Sequence, residues 1–431
     1  RTMNDFFIDI NKDYYTEMIQ AMREAGVKIP IAGTNWSIGS GHLCSQMAGD
    51  FIDTHGYWRG GGRRGADGSF GNMVMTGSLN NMLPVFTFNR AQDKPFFISE
   101  WDNSWPSEWR AEGSLLMAAA GSFQGWGGFT IHTYRYTLEE NVDMIGKPIT
   151  GDAIGGVSYR AGVFDTFNDP AKIGLFYHAA LIFRRGDVKT AVKTLSLKLP
   201  DRYLPLFRRG ESGAADRSLE VNLDDLATAK GIEGLQLSTE QHRVEIVLPE
   251  TKPEGDIIAG IDEKVVEVDK GEVMSDTKEL YRNLNKQIGW IDTPKTKVVY
   301  GFVGKEGDIP LTGLTINVKT DFATVAVSSL TDEPISSSNN MLLTAVGRAD
   351  NTGSKYNEEH NRQLDVGHGP IQTEIINAVV EINTDKKNLR VMSVNPQGLI
   401  TGYIPSTYEN GVFKFEIGKE FQSIYYLIQC L

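Results

Sequence analysis

Glu100 is the residue of this sequence whose type and position most clearly suggest chemistry. It follows the apolar run 95–98 after one intervening residue, Ser99, and precedes three closely spaced tryptophans, Trp101, Trp105 and Trp109. Hydrolysis of a glycosidic bond with retention needs one carboxylate to attack the anomeric carbon and a second to protonate the leaving oxygen. A strand end fixes such a carboxylate, and aromatic rings give sugar faces an apolar platform. The pattern predicts a glycosidase nucleophile, although a glutamate that only caps or pairs at a strand end explains it equally well.

A histidine and a tyrosine stand one predicted strand earlier, in the run His55-Gly56-Tyr57-Trp58. A hydrogen bond from Tyr57 would hold the carboxylate of Glu100 ionised and oriented. His55 is placed to bind a substrate hydroxyl or the same carboxylate. The alternative interpretation is a strand-end histidine and tyrosine whose hydrogen bonds are satisfied within the fold.

Polar or aromatic side chains also follow the other predicted strands. Taken singly, such residues pack against the protein more often than they bind a ligand. Because they collect at the ends of all the predicted strands, we interpret them as a substrate-binding rim. The predicted substrate-binding residues are Asn35, Trp36, His55, Tyr57, Trp58, Trp101, Trp126, His132 and Tyr134.

The elements that position these residues alternate between helical and strand patterns over roughly the first 185 residues, as a β/α fold requires. A helix is predicted to begin at Asn11 or Asp13. Asp169 is predicted to cap a helix that has Pro170 at its first position and runs to about Arg184. The other predicted elements are strands at 27–33, 51–58, 94–99 and 125–132 and a helix at 107–120. Functional residues at the carboxyl ends of successive strands are typical of a (β/α)8 barrel.

Beyond residue 187, helical periodicity fades and short β-prone runs separated by turn residues appear, as in a β-sandwich. The clearest runs are Val244–Leu248, Leu314–Val318 and Ala323–Val327. We therefore predict a chain of mixed class, α/β plus all-β, in which part of a (β/α)8 TIM barrel precedes one or two β-sandwich domains. The predicted domains are the barrel part at 1–186, a β-rich linking region or small subdomain at 187–284, and a β-sandwich domain at 285–431.

Composition and missing motifs argue against several function classes. A formal net charge of −12 argues against nucleic acid as a partner, because a phosphate backbone repels an acidic surface. The glycine-rich stretch 60–68 lacks the Lys-Ser/Thr pair of a phosphate-binding loop, so we predict a flexible loop and no nucleotide. The seven histidines form no HExxH-type pair, so we predict no catalytic metal and no other cofactor. The sequence does not decide for or against a structural calcium ion. No apolar run approaches the ~18 residues of a membrane span, so no membrane partner is predicted.

The order of these motifs resembles strands five to eight of the clan A glycoside hydrolases. The segments similar to the barrel strands are Gly33-Thr34-Asn35-Trp36, the stretch 53–57, Ile98-Ser99-Glu100-Trp101 and Trp126. Residues 169–188 are similar to the closing helix of large polysaccharide-degrading members, and residues 342–353 are similar to the sandwich that follows the barrel in them. The resemblance implies that Glu100 is the nucleophile, that Tyr57 touches it, and that Trp126 floors the subsite beside the cleavage point. It also implies a secreted, periplasmic or cell-surface enzyme.

One feature of that clan has no counterpart in this sequence. The acid/base of the clan is a glutamate that follows asparagine at the end of strand four, ahead of all the motifs above, and residues 1–10 contain no glutamate. Glu108, Glu112, Glu139 and Glu140 are poor substitutes, because helical or loop carboxylates usually face water. Half a barrel would expose strand edges and apolar faces. We therefore predict that another polypeptide, cleaved or separate, supplies the N-terminal half of the barrel and the acid/base.

Three functions remain open at this point. The favoured one is retaining hydrolysis of a β-linked polysaccharide or oligosaccharide, with Glu100 as nucleophile. The alternative is a catalytically decayed protein that binds glycan without cutting it. In the third, the β region is itself a carbohydrate-binding or assembly module. A structural role is favoured for that region, because Trp290 is its only tryptophan.

Overall fold

A computed structural model of the protein describes residues 2–35, 40–58, 69–78, 81–134, 164–198, 239–248 and 271–430. Its helices are α1 (Thr2–Glu24), α2 (Ser40–Gln46), α3 (Met82–Thr87), α4 (Gly113–Gln124), α5 (Pro170–Ile173) and α6 (Phe176–Arg184). The first five strands are β1 (Ile52–Trp58), β2 (Phe96–Asn103), β3 (Gly128–Ile131), β4 (Thr194–Lys198) and β5 (Arg243–Val247). The remaining strands are β6 (Glu272–Met274), β7 (Leu280–Asn283), β8 (Ile288–Asp292), β9 (Thr296–Gly301), β10 (Asp308–Leu311), β11 (Leu314–Val318), β12 (Ala323–Ser329), β13 (Asn340–Val346), β14 (Ala349–Thr352), β15 (Lys355–Tyr356), β16 (Gln363–Asp365), β17 (His368–Thr373), β18 (Ala378–Asn383), β19 (Leu389–Val394), β20 (Ile400–Ile404), β21 (Ser406–Glu409), β22 (Val412–Ile417) and β23 (Tyr425–Cys430).

Most of the strands form two antiparallel sheets. The larger has nine strands in the order β20-β19-β23-β13-β12-β9-β8-β7-β6, and the smaller has five in the order β10-β11-β18-β22-β21. Val299, Val327 and Leu343 of the larger sheet share one apolar core with Ile316 and Val380 of the smaller. The two sheets therefore pack in the manner of a sandwich. The prediction of a mixed chain with a sandwich-like antiparallel region is confirmed.

The central strands of the larger sheet are buried on both faces. In β12, Val325 and Val327 join the core between the two sheets. Ala326, which alternates with them, joins a second core that contains residues of α4 and α6. Successive side chains of a strand point to opposite faces, so a sheet that is covered twice gives an unbroken apolar run. This double burial explains the β-prone stretch at 323–327, which the structure confirms as a strand.

Three further strands form a parallel sheet in the order β1-β2-β3. They confirm the strands predicted at 51–58, 94–99 and 125–132, although β2 continues past Glu100 to Asn103. The helix predicted at 107–120 is α4, which starts later, after a 3₁₀ turn at Arg110–Glu112. It ends at Gly125, whose left-handed backbone (φ 66°) suits a residue without a side chain. Parallel strands connected through helices form a β/α unit, and a closed barrel is not among the described elements.

The predicted cap at Asp169 is confirmed. Its side chain accepts a hydrogen bond of 3.1 Å from the amide of Ala171, and Pro170 begins α5. The predicted single helix is interrupted after Ile173, so that α5 and α6 are separate helices. The carboxylate of Asp169 also receives Nε of buried Arg110 at 2.8 Å. None of the helices in the described ranges combines the length and apolar character needed to cross a membrane.

One predicted helix start and one predicted strand at the beginning of the chain are wrong. The first helix begins at Thr2 rather than at Asn11 or Asp13, because the residues before Asn11 continue the same helical turn pattern. The strand predicted at 27–33 is irregular. It is held to the segment before β1 by hydrogen bonds between Ile31 and Asp50, and Ile29 is 71% exposed. An apolar run becomes a strand only when neighbouring strands satisfy its backbone groups, and the described elements provide none here.

A buried polar network joins α6 to the larger sheet. Nδ1 of His178 lies 2.7 Å from Oγ of Ser328, and Nε2 lies 2.8 Å from Oγ1 of Thr344. Thr296 lies 2.7 Å from the same serine oxygen and donates to Asp187 at 2.6 Å. Because the Thr296 proton goes to the carboxylate, Ser328 donates to Thr296 and accepts from His178. The neutral imidazole therefore carries its proton on Nδ1.

Candidate active site

Glu100 lies in β2 beside a β-bulge. In the β1–β2 register Thr54 is opposite Ile98 and His55 is opposite Glu100, so that Ser99 is an extra residue in β2. A bulge redirects side chains that strict alternation would send to opposite faces. Ser99 and Glu100 therefore both meet side chains of β1.

Three ring side chains surround the carboxylate of Glu100. The Tyr57 hydroxyl donates to Oε2, and Nδ1 of His55 lies 3.2 Å from the same oxygen. From the end of β3, Nδ1 of His132 lies 3.6 Å from Oε1. The glutamate side chain is 32% exposed, so its carboxylate is both held in place and open to solvent. The predicted hydrogen bond between Tyr57 and Glu100 is present.

A hydrogen-bonded chain behind Glu100 determines how His55 is protonated. Nε2 of His55 lies 2.7 Å from Oγ of Ser99, and that hydroxyl donates to Asp53 at 2.6 Å. Because the Ser99 proton goes to Asp53, the serine oxygen accepts from Nε2–H of His55. Nδ1 then carries a proton toward Glu100 only when the ring is an imidazolium.

An aromatic wall stands on one side of the carboxylate. The ring of Phe164 lies 5.3 Å from that of Tyr57 and 5.1 Å from that of His132, centroid to centroid. The carbonyl of Phe164 is 3.4 Å from Nζ of Lys172. That ammonium pairs with Asp102 at 2.7 Å, and both partners are almost completely buried. The ion pair thus ties the segment that carries Phe164 to the strand that carries the glutamate.

Three tryptophans predicted to bind substrate lie in the core instead. Trp58, Trp101 and Trp126 are exposed by 3%, 3% and 4%. Trp126 precedes β3 and packs edge-on against Phe86 and Phe96, at 5.9 Å in each pair. A buried indole has no face to offer a sugar ring. These three residues are therefore not brought together with the open carboxylate.

The remaining predicted residues differ in position. His132 ends at the carboxylate, as described above. Tyr134 is 66% exposed, and its ring packs against that of Phe167 at 6.1 Å. Asn35 is half-buried. Neither residue contacts the carboxylate of Glu100. The parts of the prediction that lie outside the described residues are Trp36, the loop at 60–68, Glu139 and Glu140.

Asp53, Ser99 and Phe164 belong to the site but were not predicted as site residues. A signal for Asp53 existed, because a strand with a period of two places it on the same face as His55 and Tyr57. Ser99 reaches this face only through the bulge, which the residue pattern does not reveal. Phe164 comes from a distant segment with no recognisable motif.

The two described glutamates considered as substitutes for the acid/base lie away from Glu100. Glu112 was expected to face water, which is wrong: it is completely buried and accepts hydrogen bonds from the amides of Met75 and Thr76. Burial raises the pKa of Glu112 to about 7. Glu108 pairs with His360 at 3.2 Å. In the described ranges, no group of three or more His, Cys, Asp or Glu side chains is arranged to hold a metal ion.

Comparisons with known proteins found no relative of this chain. No protein-family model, no curated protein and no solved structure matches this chain.

Proposed function

We propose that this chain is part of a retaining glycoside hydrolase that acts on a β-linked polysaccharide or oligosaccharide, with Glu100 as its nucleophile. One observation carries the proposal. Tyr57, His55 and His132 surround the carboxylate of Glu100, while about a third of the Glu100 side chain stays exposed. A purely structural glutamate at a strand end needs no such set of partners. The resemblance to clan A supports the same role for Glu100 and Tyr57.

The geometry distinguishes the two oxygens of Glu100. Oε2 accepts from Tyr57 and faces His55 at 3.2 Å. Oε1 has His132 at 3.6 Å, beyond hydrogen-bond distance. We assign the attack on the anomeric carbon to Oε1, because its lone pairs are the less engaged. Attack forms the bond from Oε1 to carbon as the glycosidic bond breaks, and water later releases the sugar from the enzyme.

Protonation of the leaving oxygen requires a second carboxyl group. Among the described residues, the carboxylate linked to Glu100 through hydrogen bonds is that of Asp53. It is only 9% exposed, and both of its oxygens accept hydrogen bonds from Ser99, so it is not available to a leaving group. We therefore assign the acid/base to a segment outside the described residues. The resemblance to clan A implies that this segment belongs to a cleaved or separate polypeptide that would also complete a (β/α)8 barrel. A polysaccharide substrate places such an enzyme outside the cell or in the periplasm.

The surface of α1 supports such a partner. The side chains Phe6, Ile10, Tyr14 and Met18 recur every four residues, so they share one helix face, and they are exposed by 58%, 49%, 57% and 43%. A row of exposed apolar side chains on one helix face marks a contact surface. A further β/α unit that packs on α1 would cover it.

Covalent trapping tests the role of Glu100. A 2-deoxy-2-fluoroglycosyl donor with a dinitrophenolate leaving group needs no general acid, since that group departs without a proton. With gluco-, galacto- and manno-configured donors, we expect one of them to add a single sugar mass to a peptide that contains Glu100. The Glu100→Gln variant should stay unlabelled, and Glu358→Gln, at an exposed position, should label like the parent. Labelling elsewhere, or none with any donor, would refute the assignment.

A glycan-binding protein without catalysis is the second candidate function. It is favoured by one observation, namely that the described residues place no second carboxylate in contact with Glu100. This candidate predicts that Glu100 resists every fluorosugar donor while the protein still binds oligosaccharides in calorimetry. Trapping and calorimetry on the same preparation therefore separate the two functions.

A further inference from the structure

A long excursion of the sandwich, here named the arm (residues 349–373), crosses to the loop that follows β1. It contains the strand pairs β14–β17 and β15–β16. The amide of Phe70 donates to the carbonyl of Asn361 at 2.7 Å, and Ser69 forms an isolated bridge with Arg362. The rings of Phe70 and Tyr356 meet edge-on at 6.1 Å. The arm is thus fixed to chain that leaves the carboxyl end of β1.

The arm also holds the loop that follows β2. Nε1 of Trp105 donates to Oδ1 of Asp350 at 3.0 Å, and Tyr356 donates to the other oxygen of Asp350 at 2.5 Å. Nδ1 of His360 lies 3.2 Å from the carboxylate of Glu108. Because β1 and β2 are parallel, both loops lie at the same end of the sheet, toward which Glu100 is also placed. The arm therefore borders the end of the parallel sheet toward which the candidate active site is placed.

A cleft of about 350 Å³ opens between the loop after β2 and the base of the arm. This volume falls in the range of about 300–1,000 Å³ typical of small-ligand sites. Its lining includes Pro106, Glu108, Arg348, Asp350, Gln372 and Glu374. Pro106 follows Glu100 by six residues, which limits their separation to about 22 Å even in a fully extended chain. A single oligosaccharide can span such a distance.

Carboxylates outnumber cations in the lining of the cleft. The guanidinium of Arg348 donates to both carboxylate oxygens of Glu374, at 3.0 and 2.8 Å, and lies 3.6 Å from Glu108. Asp350 adds a further carboxylate. An anionic ligand would meet these carboxylates without an unpaired cation to attract it. Gln372 is exposed and presents both donors and an acceptor, which suits the hydroxyls of a neutral sugar.

We propose that this cleft is a distal subsite, which binds a neutral sugar unit of the same chain that Glu100 cleaves. The inference rests on the proposed function and adds to it the substrate class, an uncharged polysaccharide longer than the sugars next to the cleaved bond. It also gives the arm a role in selecting chain length. An arm that only ties the sandwich to the parallel sheet would leave oligosaccharide binding independent of Gln372.

Calorimetry with oligosaccharides of increasing length tests the subsite. The probes are β-glucan, β-mannan and β-galactan oligosaccharides of two to six units, with uronate and sulfated chains as anionic counterparts. We expect affinity to rise with length for one neutral series. Gln372→Ala, which removes the amide donors and acceptor from an exposed position in the cleft, should remove that rise and lower the affinity for the longest probe about tenfold, the loss of one or two hydrogen bonds. Lys355→Ala, an exposed change on the same arm outside the cleft, should bind like the parent.

The outcomes separate this inference from the proposed function. Fluorosugar trapping on Glu100 is measured on the same variants, and Gln372→Ala should be labelled at the parental rate because the donor is a single sugar. If trapping succeeds but the length dependence survives in Gln372→Ala, the subsite is refuted and the nucleophile stands. The same holds if no neutral series binds, or if an anionic series binds better. If trapping fails in the parent as well, the proposed function fails first.

Discussion

The buried histidine between α6 and the larger sheet makes the stability of the protein depend on pH. Burial lowers the pKa of His178 from its ordinary value of 6.5 to about 3. Between these values the unfolded chain binds more protons than the folded chain, so the free energy of unfolding falls as the pH decreases from 6.5 toward 3. At 1.36 kcal/mol per pKa unit, His178 accounts for a loss of about 2 kcal/mol at pH 5 and about 3 kcal/mol at pH 4, relative to pH 8.

The variant His178→Gln isolates this contribution. Glutamine offers a donor and an acceptor to Ser328 and Thr344 but does not titrate, so its cost in stability should be the same at every pH. We expect the parent to lose about 2 kcal/mol more than the variant between pH 8 and pH 5. Guanidinium unfolding followed by tryptophan fluorescence at both pH values measures the difference.

A matched control is His368→Gln, because that histidine is exposed. It removes the same side chain from the surface and should leave the parental pH dependence unchanged. If His178→Gln shows the same fall in stability as the parent, then burial of His178 is not the cause, and the hydrogen-bonded network must admit the charged ring without cost.

Three further predictions concern the site and its support. Tyr57→Phe removes a hydrogen bond to a charged acceptor, usually worth about 1.5–3 kcal/mol, so fluorosugar labelling of Glu100 should slow about tenfold or more; an unchanged rate in stopped-flow mass spectrometry would contradict the role of Tyr57. Lys172→Met removes the ammonium that pairs with the buried carboxylate of Asp102, which should cost about 3–5 kcal/mol in chemical denaturation. The pKa of Glu112, raised from 4.5 to about 7 by burial, means that the folded state binds more protons than the unfolded chain between these values. This group therefore lowers the free energy of unfolding by up to about 3 kcal/mol as the pH rises from 4.5 to 7, and Glu112→Gln should remove that slope from the thermal melting profile.

The sequence could predict the parts of the site that depend on local rules. A strand has a period of two, so the spacing of His55 and Tyr57 placed both on one face of β1. Glu100 was recognised because a carboxylate close behind an apolar run lies near a strand end. The helix cap at Asp169 followed from side-chain and backbone chemistry within two residues. Each of these depends on neighbours in the chain, and the structure contains all of them.

Other features depended on contacts between distant segments. The strand predicted at 27–33 fails because an apolar run needs partner strands, which only the tertiary structure supplies or withholds. The tryptophans Trp58, Trp101 and Trp126 are aromatic residues near strand ends, as a sugar site would require. Which face of a strand is open is decided by the layers that pack against it, and these rings lie on the covered side.

The sequence by itself therefore determined the candidate carboxylate, its tyrosine and histidine neighbours, and the change from alternating helices and strands to strands alone. The tertiary structure decided the bulge at Ser99, the link through Asp53 and the approach of the arm to the loops after β1 and β2. The physical reason is the range of the interactions. Residue type and spacing fix the orientation of a side chain along its own element, whereas burial and charge compensation arise only when elements far apart in the chain come together.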